Sequence, residues 1–177
     1  MTSIYRRRLV GAALFLPLTH GAWAEVCSRP TARQTEGPFF KPASPQRITL
    51  IEPGSKAPRL MVSGRVLTAD CKPAANALLD FWHADENGDY DNRGFRYRGH
   101  QFADAEGRYR LETIVPAVYP GRARHIHVKV QPPGGRILTT QLYFPNEAEN
   151  QRDGLFRAEL VMRMAERGQG AFDFVVA

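Results

Sequence analysis

Long apolar runs are missing from this sequence: no stretch could span a bilayer as a helix, which excludes an integral helical membrane protein. Cysteine is nearly missing too. Two cysteines in 177 residues exclude a disulfide-dense scaffold and a four-cysteine zinc site. The residues around Gly54-Ser55-Lys56 lack the glycine spacing of a phosphate-cradling loop. Two Asp-x-x-Gly-x-Tyr stretches, ending at Tyr90 and Tyr109, put glycine fourth rather than sixth and so are not EF-hand calcium loops. They read as one turn chemistry used twice. Strong amphipathic helices are absent as well; the best helical candidate, residues 158–167, is short and peripheral.

What is present begins with an export signal. Arg6-Arg7-Arg8, an apolar run over 9–18 and Ala22-Trp-Ala24 form the charged, apolar and small-residue parts of a secretory leader, with cleavage expected after Ala24. The clustered arginines also resemble a twin-arginine signal. Residues 25–177 then form one mature domain, consistent with 43% hydrophobic and 24% charged residues over the whole chain. Removing the three arginines of the leader lowers the net charge from +6 to +3, so a nucleic-acid partner loses its electrostatic support. An exported, periplasmic or secreted protein matures in an oxidising compartment, and there two cysteines favour a Cys27–Cys71 disulfide.

Residues 25–58 are rich in Pro, Thr, Ser and Gly and read as an extended arm wrapping the core. Beyond them, segments 60–67, 77–83, 109–115, 125–130, 137–144 and 172–176 carry the Val, Ile, Phe and Tyr content of strands, separated by turn clusters such as Asp104-Ala-Glu-Gly107 and Pro132-Pro-Gly-Gly135. The fold class is all-β: an antiparallel β-sandwich core with an N-terminal arm and peripheral loops or short helices.

His125-Ile126-His127 sits in one of these strands, so period-two geometry sends both imidazoles to one face and Ile126, Val128 and Val130 to the other. Alone, the pair is either a hydrogen-bonded polar pair or two ligands of a metal site. A zinc hydrolase would add a third ligand, and position 129 is lysine, with no acid before Glu147. His83 and His100 read as structural polar residues.

Five ordered segments narrow the choice. Thr35-Glu-Gly-Pro38, Trp82-His-Ala-Asp-Glu-Asn-Gly-Asp-Tyr90, Tyr119-Pro-Gly-Arg122, His125-Ile-His127 and Leu138-Thr-Thr-Gln141-Leu-Tyr-Phe144 resemble the motif set of the intradiol ring-cleavage dioxygenases. The resemblance implies a β-sandwich holding one non-haem Fe(III) through Tyr90, Tyr119, His125 and His127. It further implies a catechol-type substrate and O2, cut between the two hydroxyl-bearing carbons to a cis,cis-muconate-type diacid. The chemistry is coherent, since hard phenolate donors favour the ferric state and neutral imidazoles complete the site without added charge.

By the same resemblance Tyr119 is the tyrosinate that leaves and acts as a base, Arg122 stabilises charge developing on the ring, and Gln141 stands near the metal without binding it. Strict alternation from His125 would put Arg122 on the wrong face, so the Pro120-Gly121 turn must reset its direction. Tyr97, Tyr109 and Tyr143 are expected as core or rim aromatics, and Phe81 and Trp82 lie on opposite strand faces. Only five residues separate Tyr119 from His125, fewer than in relatives with small substrates, which implies an open site suited to bulky catechols. Relatives that assemble from two kinds of subunit leave an oligomer or second subunit open. The alternatives to the enzyme are a non-catalytic exported sandwich that binds metal or a partner, and a His-x-His zinc hydrolase.

Overall fold

In the computed structural model, residues 27, 29–165 and 168–177 are described; the leader proposed for 1–24 lies outside them. Among the described residues nine strands form two sheets: β1 Arg59–Thr68, β2 Leu78–Trp82, β3 Arg98–Phe102, β4 Arg108–Ile114, β5 His125–Gln131, β6 Leu138–Tyr143, β7 Arg163–Ala165, β8 Gln169–Ala171 and β9 Phe174–Val176. One sheet has the order β3-β2-β5-β6; the other runs β4-β1-β8-β7, with β9 also on β1. Both cover one apolar core. Leu79, Phe81, Ile126, Val128 and Leu142 from the first sheet are fully buried against Val62, Val66, Leu111 and Phe174 from the second. Such side chains stabilise by about 1.5–3 kcal/mol each when fully buried.

The sandwich is not purely antiparallel. β1 pairs antiparallel with β4 but parallel with β8 through Met61–Ser63 and with β9 through Val66–Thr68. One ten-residue strand thus serves two short partners along a single edge. The helix expected over 158–167 does not form over 158–165, the part described. Ala158–Leu160 makes one 3-10 turn, Val161 bridges Tyr143, and the Met162 N–H donates to the Tyr143 carbonyl at 2.9 Å. Leu160 and Met162 are buried while Arg163 is exposed, so the burial period is two and the segment is drawn into sheet pairing. β3 was hidden in the sequence by polar residues and Gly99; it is strand only because β2 pairs with it.

β6 is buried on both faces, which requires a cover over the outer face of its sheet. The arm supplies it, crossing the sheet strand by strand. Gln34 donates its N–H to Thr139 of β6, Gly37 sits over His127 of β5, Phe40 packs on Trp82 of β2, and Gln46 bridges His100 of the β3 edge. Leu50 then donates to Glu112 of β4 in the other sheet. Both exposed edges of the four-stranded sheet are thereby paired. A Cys27–Cys71 disulfide, with Cα atoms 5.4 Å apart, fixes the start of the arm to the turn after β1.

Closing a loop with a sequence separation of 44 should stabilise the fold by roughly 4 kcal/mol on the chain-entropy account. Intact mass before and after reduction and alkylation should show two protected thiols, and reduction should lower the urea midpoint. Alkylation of both thiols without reductant would contradict the bond.

Candidate metal centre

The two Asp-x-x-Gly-x-Tyr stretches build the same turn. Asp85 Oδ1 accepts the N–H groups of Asn87 and Asp89, and Asp104 Oδ1 accepts those of Glu106 and Arg108. Gly88 and Gly107 take positive φ, +91° and +71°, at equivalent positions. The second turn sends Tyr109 into the core, where its hydroxyl donates to the Phe172 carbonyl at 2.9 Å. The first sends Tyr90 to the outer face. A Cβ on Gly88 would lie 2.6 Å from the Val118 carbonyl oxygen, and Ala117 donates its N–H to the Asp85 carbonyl. Only glycine lets the 117–119 segment dock there, which carries Tyr119 to Tyr90.

Arg98, Trp82, His127 and Gln141 lie in one row across β3, β2, β5 and β6, so they share the outer face. Trp82 stacks on the His127 ring, centroids 4.8 Å apart and planes within 7°, while Phe81 points into the core as alternation requires. His125 Nδ1 lies 2.6 Å from the Ala123 carbonyl oxygen; it therefore carries the ring proton and leaves Nε2 a bare lone pair. That Nε2 is 3.0 Å from His127 Nε2 and 3.2 Å from the Tyr90 hydroxyl. Burial pulls His125 down to about 4, and burial together with the neighbouring His125 holds His127 well below its ordinary value, so both rings are neutral. Burial pushes the Tyr90 phenol up, opposed by Arg122 and Arg98.

The geometry tests whether a cation fits. Tyr90 O–H and any proton on His127 Nε2 compete for the single lone pair of His125 Nε2. Hydrogen bonding cannot satisfy all three groups, whereas a cation accepts a lone pair from each. Among the described residues no three His, Cys, Asp or Glu side chains cluster as a metal site, and the side-chain oxygen beside the two imidazoles is the Tyr90 phenol, a hard donor. Tyr119 is half-buried beside this centre, its ring edge-on to Tyr90 at 5.8 Å and to Phe39 at 5.4 Å. Phe39 also stacks on Tyr90 at 4.4 Å. Three of the four nominated ligands thus meet at polar atoms, and Tyr119 joins them through the ring of Tyr90.

Arg122 is redirected as the alternation argument demanded. Its N–H donates to the Tyr119 carbonyl at 3.0 Å with Gly121 at φ +80°, a turn with Pro120 leading and glycine in the left-handed position. Its Nη2 donates to Gln141 Oε1 at 2.7 Å and to the Tyr143 hydroxyl at 3.3 Å. Gln141 Nε2 donates to the Thr35 carbonyl, tying this network to the arm. Tyr143, expected as a core or rim aromatic, is part of it, with its phenol pushed up to about 12 by burial. Asp153 was not found from the sequence: it stands in a loop 31 residues beyond Arg122, with no motif around it, and pairs with Arg122 Nε at 3.0 Å. Burial raises its carboxyl, but the N–H groups of Ala123 and Leu155 and the Arg122 guanidinium outweigh this and hold it low.

Against known proteins, the Dioxygenase_C family model, described as "Dioxygenase", matches residues 35–175. The chain belongs to the intradiol ring-cleavage dioxygenase family. A similar solved structure is the dioxygenase domain of a dioxygenase carbohydrate-binding protein fusion from the cellulolytic bacterium Streptomyces sp. SirexAA-E, 54% identical, covering 84% of this chain and 98% of that one with a TM-score of 0.80. The chain is also 34% identical to chlorocatechol 1,2-dioxygenase of Pseudomonas sp. (strain P51), over 62% of this chain and 53% of that protein. It is 35% identical to the protocatechuate 3,4-dioxygenase beta chain of Burkholderia cepacia, over 56% and 50%. The chain spans about half the length of the curated relatives it matches.

His83 and His100 make their hydrogen bonds away from this cluster. His100 Nδ1 meets the Ser44 carbonyl oxygen at 2.7 Å, and His83 is buried between the Ala84 carbonyl and Thr113 Oγ1. Burial pulls His83 from 6.5 to about 4. The unfolded chain therefore binds a proton that the folded chain does not as pH falls from 6.5 to 4, and stability is lost in that window, by roughly 3 kcal/mol from this group. Urea midpoints across this range should fall with pH, and His83→Gln should flatten the slope; an unchanged slope would remove His83 as the cause.

Proposed function

We propose that residues 25–177 form an exported Fe(III)-dependent intradiol dioxygenase domain. It inserts both atoms of O2 into a catechol and opens the ring between the hydroxyl-bearing carbons to a cis,cis-muconate-type diacid. The observation that carries this reading is the approach of His127 Nε2 and the Tyr90 hydroxyl to His125 Nε2, at 3.0 and 3.2 Å in a buried space, on residues that match the family motifs. With Tyr119 they would hold the metal. Fe(III) held there would supply Lewis-acid activation of the catechol toward O2.

The chain's own residues do the rest. Tyr90, buried under Phe39, stays in place, while the half-buried Tyr119 is free to leave and take a catechol proton on its phenolate oxygen. The Arg122 guanidinium stabilises negative charge developing on the ring, and Gln141 orients it. Trp82 and Gly37 hold the His127 ring and keep water from it. The export signal and the disulfide support a periplasmic or secreted location, and the short Tyr119–His125 link supports bulky catechols.

Protein expressed with iron should contain about one iron per chain and absorb visible light by tyrosinate-to-iron charge transfer, a hard-donor signature. Stoichiometric zinc, or metal-free colourless protein, would refute the reading. Tyr119→Phe preserves ring shape, so it should keep iron and fold, shift the visible band and lose most turnover. Tyr109→Phe removes a buried core hydrogen bond, lowering stability by about 1–2 kcal/mol with colour and turnover intact. Equal spectra and ring-opening rates for the two variants would sink the role of Tyr119.

A further inference from the structure

The Asp153 side chain is 2% exposed and joins the two loops at the open end of the β5-β6 hairpin, the one that enters β5 and the one that follows β6. Oδ2 accepts Arg122 Nε at 3.0 Å and the Ala123 N–H at 2.9 Å; Oδ1 accepts the Leu155 N–H at 2.9 Å. Asp153 in turn donates its own N–H to the Glu149 carbonyl, so its backbone is held as well. Ala123 is the residue whose carbonyl fixes the His125 ring, so one carboxylate steadies both the arginine and the approach to the first histidine.

The guanidinium it holds is accounted for nitrogen by nitrogen. Nε is taken by Asp153 and Nη2 by Gln141 and Tyr143; Nη1 makes no hydrogen bond among the described residues. A planar fork bound at Nε and Nη2 has no rotational freedom left about its last bonds. Its remaining N–H pair is therefore aimed by the other two contacts. An arginine free to rotate would average its field over many directions, whereas a held one meets developing charge without reorganising.

We infer that Asp153 is a positioning residue that locks Arg122, leaving Nη1 as the donor presented to the anionic substrate as its ring opens. This rests on the dioxygenase reading above. Asp153 touches no substrate; its effect on the developing charge runs through Arg122, and its bond to the Ala123 N–H, which a neutral oxygen can also accept, is a separate backbone contact. The short, buried, charge-assisted contact makes the pair a unit, so its members cannot contribute independently.

The test combines kinetics with a readout that needs neither iron nor turnover. Asp153→Asn keeps the shape and, at the Oδ2 position, a neutral acceptor for the Ala123 N–H and Arg122 Nε, but it removes the charge that holds the guanidinium and the acceptor of the Leu155 N–H. It should lower kcat by about tenfold, the scale of one charge-assisted contact, with KM and the resting visible band little changed. In an Arg122→Met background the same substitution should change kcat by no more than about twofold, because the group through which it acts is gone. In metal-free protein the Arg122 Nε–H NMR signal should exchange slowly with solvent in wild type and quickly in Asp153→Asn. Full activity in Asp153→Asn, an equal loss in both backgrounds, or wild-type Nε–H exchange as fast as that of exposed arginines would each overturn the inference while the dioxygenase reading stood. The last result decides even if Asp153→Asn fails to fold. A wild-type protein that opens no catechol ring would overturn the dioxygenase reading, and this inference with it.

Discussion

Two imidazoles side by side on one strand, buried where neither can carry charge, set the terms for everything around them. A buried neutral histidine needs a partner at each nitrogen. His125 finds one in the Ala123 carbonyl, and its other nitrogen faces His127 and Tyr90. To bury these groups, the outer face of a four-stranded sheet must be roofed, and that is the work of the arm. Its path over β6, β5, β2 and β3 places Gly37, Phe39 and Phe40 where larger, smaller or polar residues would open the site.

Cation pairing around the centre follows the same logic. Arg122 is met by Asp153, Arg124 by Glu147 and Lys129 by Glu36, so each of these side chains sits on or beside β5 with its charge countered. Lys129 also lies 4.4 Å over the Phe40 ring, which fastens the arm to β5. Arg98 is different: it is buried in the row of Trp82 and His127, donates to the Phe39 and Asp91 carbonyls, and contributes to holding the Tyr90 phenol below where burial alone would put it. The positive side chains near the centre thus serve the roof as much as the chemistry.

Family membership and fold agree with one another. The sandwich and the centre fit within residues that cover nearly all of the Streptomyces dioxygenase domain but only about half of several longer relatives. The histidines and the row of Arg98, Trp82 and Gln141 beside them depend on strand register, whereas Tyr90 and Tyr119 are brought in by turns outside the strands.

Much of this was legible in the residues themselves. Alternation put His125 and His127 on one face and Ile126 and Val128 on the other, the repeated Asp-x-x-Gly-x-Tyr turn was visible as reused chemistry, and Pro120-Gly121 marked where the chain had to reset to bring Arg122 round. These are short-range rules of pleat and turn, and they act within a few residues. The parallel pairing of β1 with β8 and β9, the strand at Arg98–Phe102 and the loss of the helix over 158–167 were not legible, since each follows from which distant backbone offers a free edge. Asp153 belongs with these. Its sequence neighbourhood carries no signal, and only folding brings its carboxylate to the guanidinium of a residue that the turn chemistry had already aimed.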